Sequence, residues 1–196
     1  MPQLPWPLRD AWLSRLLVRS QRGDREAFRD LYRALYGPVS RYLRRRVPRA
    51  ADAEELVGQV FFRLLESLER IDPRKGTVLV YALSMARNAL VDEARSRAGL
   101  VPEEAAAAVP DAGADPLERL MGDQDVMKVR SELAKLPAET RELLMLRFGD
   151  GLRFAEIAQV LGLSEAAVRQ RTSRAVRELR SRWDAGLARG ELANDG

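Results

Sequence analysis

The chain contains no cysteine and no histidine among its 196 residues. The first absence excludes disulfides. The two together exclude zinc sites of the Cys or His kind, a thiol nucleophile and an imidazole base. Aromatic residues make up only 6%. No apolar run approaches the ~18 residues that a membrane-spanning helix needs. The opening residues, Met1-Pro2-Gln3-Leu4-Pro5-Trp6-Pro7, lack the basic-then-apolar order of a secretory leader. Alternating Val, Ile and Thr between tight turns, the mark of strands, is missing as well. These absences leave a helical protein in a reducing, cytoplasmic compartment. No membrane insertion, metal or cofactor is expected.

What the chain does have is charge and material for a core. Apolar residues make up 46%, enough for a packed interior, and charged residues 32%. The formal net charge of +4 conceals a pattern: residues 1–98 carry +7, residues 99–126 carry −6 and residues 127–196 carry +3. Two basic blocks around an acidic one fit two polyanion-facing domains on a tether, although an arginine-rich surface alone has the same charge. Between Leu100 and Leu117 the sequence reads V-P-E-E-A-A-A-A-V-P-D-A-G-A-D-P. Its prolines, glycine and solely acidic charges argue against a packed element and for a linker.

Before the linker the pattern is helical throughout. A short helix is expected from Leu13 to Gln21, and Asp24 is placed to cap a second from Arg25 to Tyr36. Gly37-Pro38 either breaks that helix or starts the next, which runs to Arg46 before Pro48. Asp52 is expected to cap a long helix from Ala53 to Arg70. Its Leu56, Val57, Val60, Phe61, Leu64, Leu65 and Leu68 recur at helical spacing as one apolar face. Asp52, Glu54, Glu55, Gln59, Arg63 and Glu66 remain for outside use. Asp72 to Gly76 is a turn, followed by a helix from Val78 to Arg97. One side of that helix carries Val78, Leu79, Ala82, Met85, Ala86, Ala89 and Leu90. The other carries Ser84, Arg87, Asn88, Val91 and Arg95, a row suited to single-stranded DNA. There Asn offers a bidentate amide to a base edge and Arg offers charge or stacking. After the linker, helices are expected at 123–135, 138–148, 154–161 and 165–183.

The clearest local signal lies between Phe154 and Arg174. Ala158 is small enough for a tight helix crossing, Gly162 permits a positive φ, and Ser164 can cap the next helix. Ile157, Leu161, Leu163 and Val168 supply a small core. This is helix-turn-helix grammar, whose second helix enters the major groove. On a helical wheel Val168, Thr172, Ala175, Val176 and Leu179 share the inner arc. Arg169, Gln170, Arg171, Ser173, Arg174, Arg177, Arg180 and Arg182 take the rest. Arginine there serves guanine edges and phosphates alike. The residues near the helix start are placed to read bases, and Arg177, Arg180 and Arg182 to meet phosphate or solvent.

Five further segments carry a family resemblance. Gly23-Asp24-Arg-Glu-Ala27-Phe28-Arg-Asp-Leu31-Tyr32 resembles the opening motif of the helical domain in bacterial RNA polymerase sigma factors of the extracytoplasmic-function (group 4) type, within the sigma-70 superfamily. Asp52-Ala-Glu54-Glu55-Leu56-Val57-Gly-Gln-Val-Phe61 resembles that family's polymerase-binding helix. Ile71-Asp72-Pro73-Arg-Lys-Gly76 and Tyr81-Ala-Leu83-Ser-Met-Ala86-Arg87-Asn88-Ala-Leu90-Val-Asp92-Glu-Ala-Arg95 resemble its promoter-melting loop and minus-ten helix. Leu136-Pro137-Ala-Glu-Thr-Arg-Glu-Leu143-Leu-Met-Leu146-Arg147-Phe-Gly-Asp-Gly151-Leu resembles the run into its minus-thirty-five reader.

The resemblance implies an all-α protein of two small helical domains on a flexible acidic linker: residues 1–98, 99–126 and 127–184, then a tail, 185–196. It implies a sigma factor that binds core RNA polymerase and directs promoter-specific initiation, with no catalysis of its own. Asp52, Glu54, Glu55, Gln59 and Arg63 would meet the clamp coiled coil of the largest subunit. The second domain would meet the flap of the second subunit. Arg74, Lys75, Tyr81, Ser84, Arg87, Asn88 and Arg95 would hold the minus-ten element. Arg169, Gln170, Arg171, Ser173, Arg174 and Arg177 would read the minus-thirty-five element. The linker would thread toward the active-centre and RNA-exit channel, and an anti-sigma factor is an expected partner.

Three departures from the family stand out: Gly58-Gln59 where it commonly has Gln then an acid, Tyr81 for its usual Trp, and extra residues at both termini. The rival readings are a stand-alone helix-turn-helix regulator, which leaves the first domain unexplained, a two-metal recombinase or nuclease, and a sigma-like decoy.

Overall fold

The computed structural model describes residues 5–98 and 131–194. The linker expected at 99–126 lies outside the described residues, as does the start of the helix expected from Asp123; residues 131–134 are its helical end. The chain divides into two compact units, and no strand occurs among the described residues.

The first unit holds four helices: α1 (Trp6–Gln21), α2 (Arg25–Arg44), α3 (Ala50–Ser67) and α4 (Val78–Ala98). A single 3-10 turn, Leu68–Arg70, closes α3. Leu13, Leu17, Leu31, Leu35, Tyr42, Leu43, Leu64 and Leu83 are fully buried at their centre. Asp24 caps α2 as expected, its Oδ1 accepting the Ala27 N–H at 3.0 Å. Gly23 before it takes φ +86°, the left-handed turn that ends α1.

Several boundaries differ from the sequence reading. α1 begins at Trp6 rather than Leu13, with a proline in its first turn, where the missing N–H costs nothing. Gly37-Pro38 does not break α2, which runs unbroken to Arg44. An interior proline costs about 3 kcal/mol. Buried Leu31, Ala34 and Leu35 before it, with Val39, Tyr42 and Leu43 after it, hold the helix together across that defect. Asp52 is not a cap: α3 starts at Ala50, after Arg49, so Asp52 sits in the first turn, where the helix dipole favours an acid. α3 also stops at Ser67, short of Arg70. Leu65, assigned to its apolar face, is 52% exposed, because that face is narrower than the sequence stripe.

The second unit holds α5 (Ala138–Leu144), α6 (Phe154–Leu161) and α7 (Glu165–Asn194). α5 does not continue as an α-helix to Phe148. It widens into a π-turn, Met145–Gly149, closed by the Asp150 N–H on the Met145 carbonyl at 2.9 Å. α7 passes Trp183 and runs to Asn194, so the expected tail begins as helix. Arg141 binds the carbonyls of Leu133, Ala134 and Leu136 at 3.0–3.2 Å, satisfying the end of the preceding helical segment. Leu143, Leu146, Leu152, Ile157 and Val168 form the core.

Candidate nucleic-acid interface

The helix-turn-helix is built as its sequence dictates. Gly162 has φ +67°, so the turn between α6 and α7 uses the one residue type that adopts it freely. The Leu163 N–H returns to the Ala158 carbonyl at 2.9 Å, and Ser164 Oγ accepts the Ala167 N–H at 3.2 Å, capping α7. At the start of α6, Glu156 reaches back to accept the Arg153 N–H at 2.8 Å, half of a capping box. Ile157 and Val168 are fully buried; Leu161 and Leu163 are only half-buried.

On α7, Thr172 and Ala175 are buried, while Arg169, Gln170, Arg171, Ser173, Arg174 and Arg177 are all exposed. The outward arc is therefore the expected one, but its members differ in freedom. Gln170 and Arg174 have no hydrogen bond or ion pair among the described residues. Arg171 pairs with Glu139 at 3.2 Å. Arg177 Nε donates to the Ser173 carbonyl at 3.3 Å. Arg182 is drawn aside to Glu178 and Glu132.

Arg169 pairs with Glu165, and its guanidinium carbon lies 4.9 Å from the centroid of the Phe154 ring. The Arg147 guanidinium lies 4.7 Å from the same ring. Phe154 thus steadies Arg169 through cation–π contact. In the sequence Phe154 marks only where α6 begins, because the contact joins residues on different helices.

In the first unit, Tyr81, Ser84, Asn88 and Arg95 stand at helical spacing along α4, with Arg87 beside them. Tyr81, Asn88 and Arg95 are exposed, and Ser84 and Arg87 half-buried. The loop before α4 is ordered by its own side chains. Asp72 Oδ1 accepts the Arg74 N–H at 2.9 Å, and Thr77 Oγ1 caps α4 by accepting the Val80 N–H at 3.2 Å. Arg74 and Lys75 project from it, exposed.

The residues expected to meet polymerase separate into two groups. Glu55 and Gln59 are exposed and lie 3.5 Å apart. Glu54 is engaged within the fold: it binds Arg44 and accepts the Tyr36 hydroxyl at 3.0 Å. The Arg44 and Tyr36 hydrogen bonds hold its carboxyl below the usual range, and the same carboxylate pushes the Tyr36 phenol up. Asp52 sits 3.6 Å from Arg49, and Arg63 3.6 Å from Asp92 on α4. The sequence reading missed the apolar part of this surface. Phe62 is 62% exposed and shares a stripe with Glu55, Gly58 and Leu65. In the sequence Phe62 and Leu65 look like core, since helical periodicity alone does not tell a wide core face from a second, outward one.

A helical bundle with a polar row beside an ordered loop, and a helix-turn-helix with an arginine arc, are the architecture of a two-unit transcription factor. The chain matches the family model Sigma-70 region 2 over residues 31–99 and Sigma-70, region 4 over residues 127–179. It is 33% identical over 176 residues to the ECF RNA polymerase sigma factor ShbA of Streptomyces griseus, covering 85% of this chain and 92% of that one. It is 32% identical over 154 residues to the ferric citrate uptake sigma factor FecI of Escherichia coli, covering 76% and 86%. Its fold is similar to that of CnrH, solved in complex with the cytosolic domain of CnrY, with a TM-score of 0.61 at 23% identity over 87% of this chain and 96% of that one.

The chain belongs to the extracytoplasmic-function sigma factors of the sigma-70 superfamily. It is a sigma factor directing promoter-specific transcription. Neither a stand-alone regulator nor a decoy is favoured, since both sigma-70 regions are matched. Sigma factors are non-enzymatic initiation factors. No helix among the described residues is long and apolar enough to cross a membrane.

Proposed function

We propose a division of labour among three surfaces, with the domain limits read from sequence: residues 1–98, a linker at 99–126, residues 127–184, and a tail to 196. The outward stripe of α3 docks on the clamp coiled coil of the polymerase's largest subunit. Glu55 and Gln59 give it polarity, and Phe62 and Leu65 give it apolar area. Asp52, Glu54 and Arg63 act mainly by holding α3 in place, through Arg49, Arg44 with Tyr36, and Asp92 respectively. The second unit rests on the flap of the second subunit.

Arg74 and Lys75 on the loop, with Tyr81, Ser84, Arg87, Asn88 and Arg95 on α4, hold an unstacked base of the minus-ten element. Unstacking costs a few kcal/mol, which such contacts offset. The start of α7 reads the minus-thirty-five element through Arg169, Gln170, Arg171, Ser173 and Arg174, with Arg177 on phosphate. The protein performs no chemistry, works in the cytoplasm, and is held in reserve by an anti-sigma factor. The last point draws support from a fold relative, the sigma factor RpoE of Bartonella quintana, solved with the anti-sigma factor NepR at a TM-score of 0.59 and 18% identity.

The observation that carries this reading is the outward arc of α7. Gln170 and Arg174 are exposed and uncommitted beside an Arg169 already steadied by Phe154. The test is reconstituted transcription with core polymerase on a fragmented genomic library. Discrete starts sharing two upstream boxes, seen only with this protein, are expected. Starts without a shared upstream box would refute the role given to α7.

A further inference from the structure

At the C-terminal end of α1 one side chain reaches a distant part of the chain. Gln21 Nε2 donates to the carbonyl of Leu68 at 2.9 Å and to that of Ile71 at 2.8 Å. A side-chain amide has two N–H donors. Both are spent here, and both go to the turn that ends α3. The Leu68 carbonyl also accepts the Ile71 N–H at 3.3 Å. The 3-10 turn is therefore closed by its own backbone and pinned from outside by α1.

The chain that leaves this turn is the loop 72–77. Its downstream foot is fixed by Thr77 on α4, and its middle by Asp72, which accepts the Arg74 N–H through Oδ1 and the Lys75 N–H, at 3.1 Å, through its carbonyl. Gln21 supplies the upstream foot. Buried Leu13, Leu16 and Leu17 already anchor α1, and the half-buried amide of Gln21 adds little to that core. What the amide determines is where Ile71 and Asp72 begin the loop, since it ties the carbonyls of Leu68 and Ile71 to one side chain.

We propose that Gln21 is a positioning residue for minus-ten recognition. It fixes the entry of the loop 72–77, so that Arg74, Lys75 and Tyr81 meet the unstacked base in register. This rests on the reading of that loop as part of the minus-ten site.

The test uses holoenzyme reconstituted from the full chain and core polymerase. The probe is a fluorescent single-stranded oligonucleotide carrying the minus-ten element of a promoter mapped with the wild-type protein. The same strand with that element scrambled serves as reference. Gln21→Met removes both donors at similar length, and Gln21→Lys keeps donors there. The expected result is that Q21M lowers the ratio of the two affinities about fivefold, the equivalent of one hydrogen bond. Q21K keeps the ratio, and both variants keep wild-type affinity for core polymerase.

A wild-type ratio in Q21M, or equal losses in Q21M and Q21K, overturns the proposal. So does a loss of core affinity matching the loss in DNA discrimination, which would mark a merely structural role. Arg74→Ala run in parallel separates the two levels of the argument. If it lowers the ratio while Q21M does not, the Gln21 role alone falls. If it has no effect, the loop reading falls and the Gln21 role with it.

Discussion

Arg174 lies exposed on the outward arc of α7 with no ion pair among the described residues, so on the proposed reading its guanidinium would meet DNA without first giving up a partner. Arg174→Ala is expected to lose about 1–3 kcal/mol of discrimination at the upstream element, the range for one bidentate base contact. Affinity for core polymerase should be unchanged, as competition binding will check. Glu54 and Asp24 behave differently, because their carboxylates serve the fold. Asp24 is held below its ordinary 3.8 by the Ala27 N–H and by Arg19, and Glu54 below its ordinary 4.5 by Arg44 and Tyr36. A lowered folded pKa gives stability that is present above the ordinary value and lost as pH falls through the folded one. The thermal midpoint of the protein should therefore drop on acidification below about pH 4.5. Glu54→Gln should make that drop shallower, and a slope identical to wild type would deny the carboxylate its role.

Among the elements, α3 shows best how much the sequence disclosed. Its existence and its inner face, from Leu56 to Leu64, were legible because helical spacing and burial agree there. Its start was not: Asp52 is a good cap by type, yet two residues before it already turn as helix. Its outward stripe was half legible, since Glu55 and Gln59 advertise themselves as polar while Phe62 and Leu65 look like core. α2 failed in the opposite way. Gly37-Pro38 is a strong local stop signal, and buried residues on both sides overrule it, a balance that no local pattern contains. The helix-turn-helix was legible almost whole, because Gly162, Ser164 and Val168 act on near neighbours; only the Phe154–Arg169 contact spans two helices. One prediction belongs to α3 itself. Gly58 is exposed, and a Cβ there would meet nothing within 4 Å. Gly58→Ala should stabilise the helix by about 1 kcal/mol, visible as a higher thermal midpoint. An unchanged or lower midpoint would mean that the glycine is required in the free protein.

At the scale of the whole molecule, the proposed reading divides the DNA contacts between two small units, each of which alone would bind weakly. Once polymerase fixes their spacing, the second contact becomes intramolecular, a gain of about 10²–10⁴ in affinity. Promoter duplex should accordingly bind the holoenzyme at least about a hundredfold more tightly than it binds the free protein. Equal affinities in an anisotropy titration at one fixed salt concentration would contradict this picture.

The helices of the first unit pack chiefly on their neighbours in sequence, α1 on α2, α2 on α3 and α3 on α4. Contacts so close along the chain close small loops, and proteins built from them fold in microseconds to milliseconds. Residues emerge from the ribosome at about 5–20 per second, N-terminal part first. The first unit can thus be complete while the second is still being made. Folding of the first unit should therefore add nothing measurable to the time its translation takes.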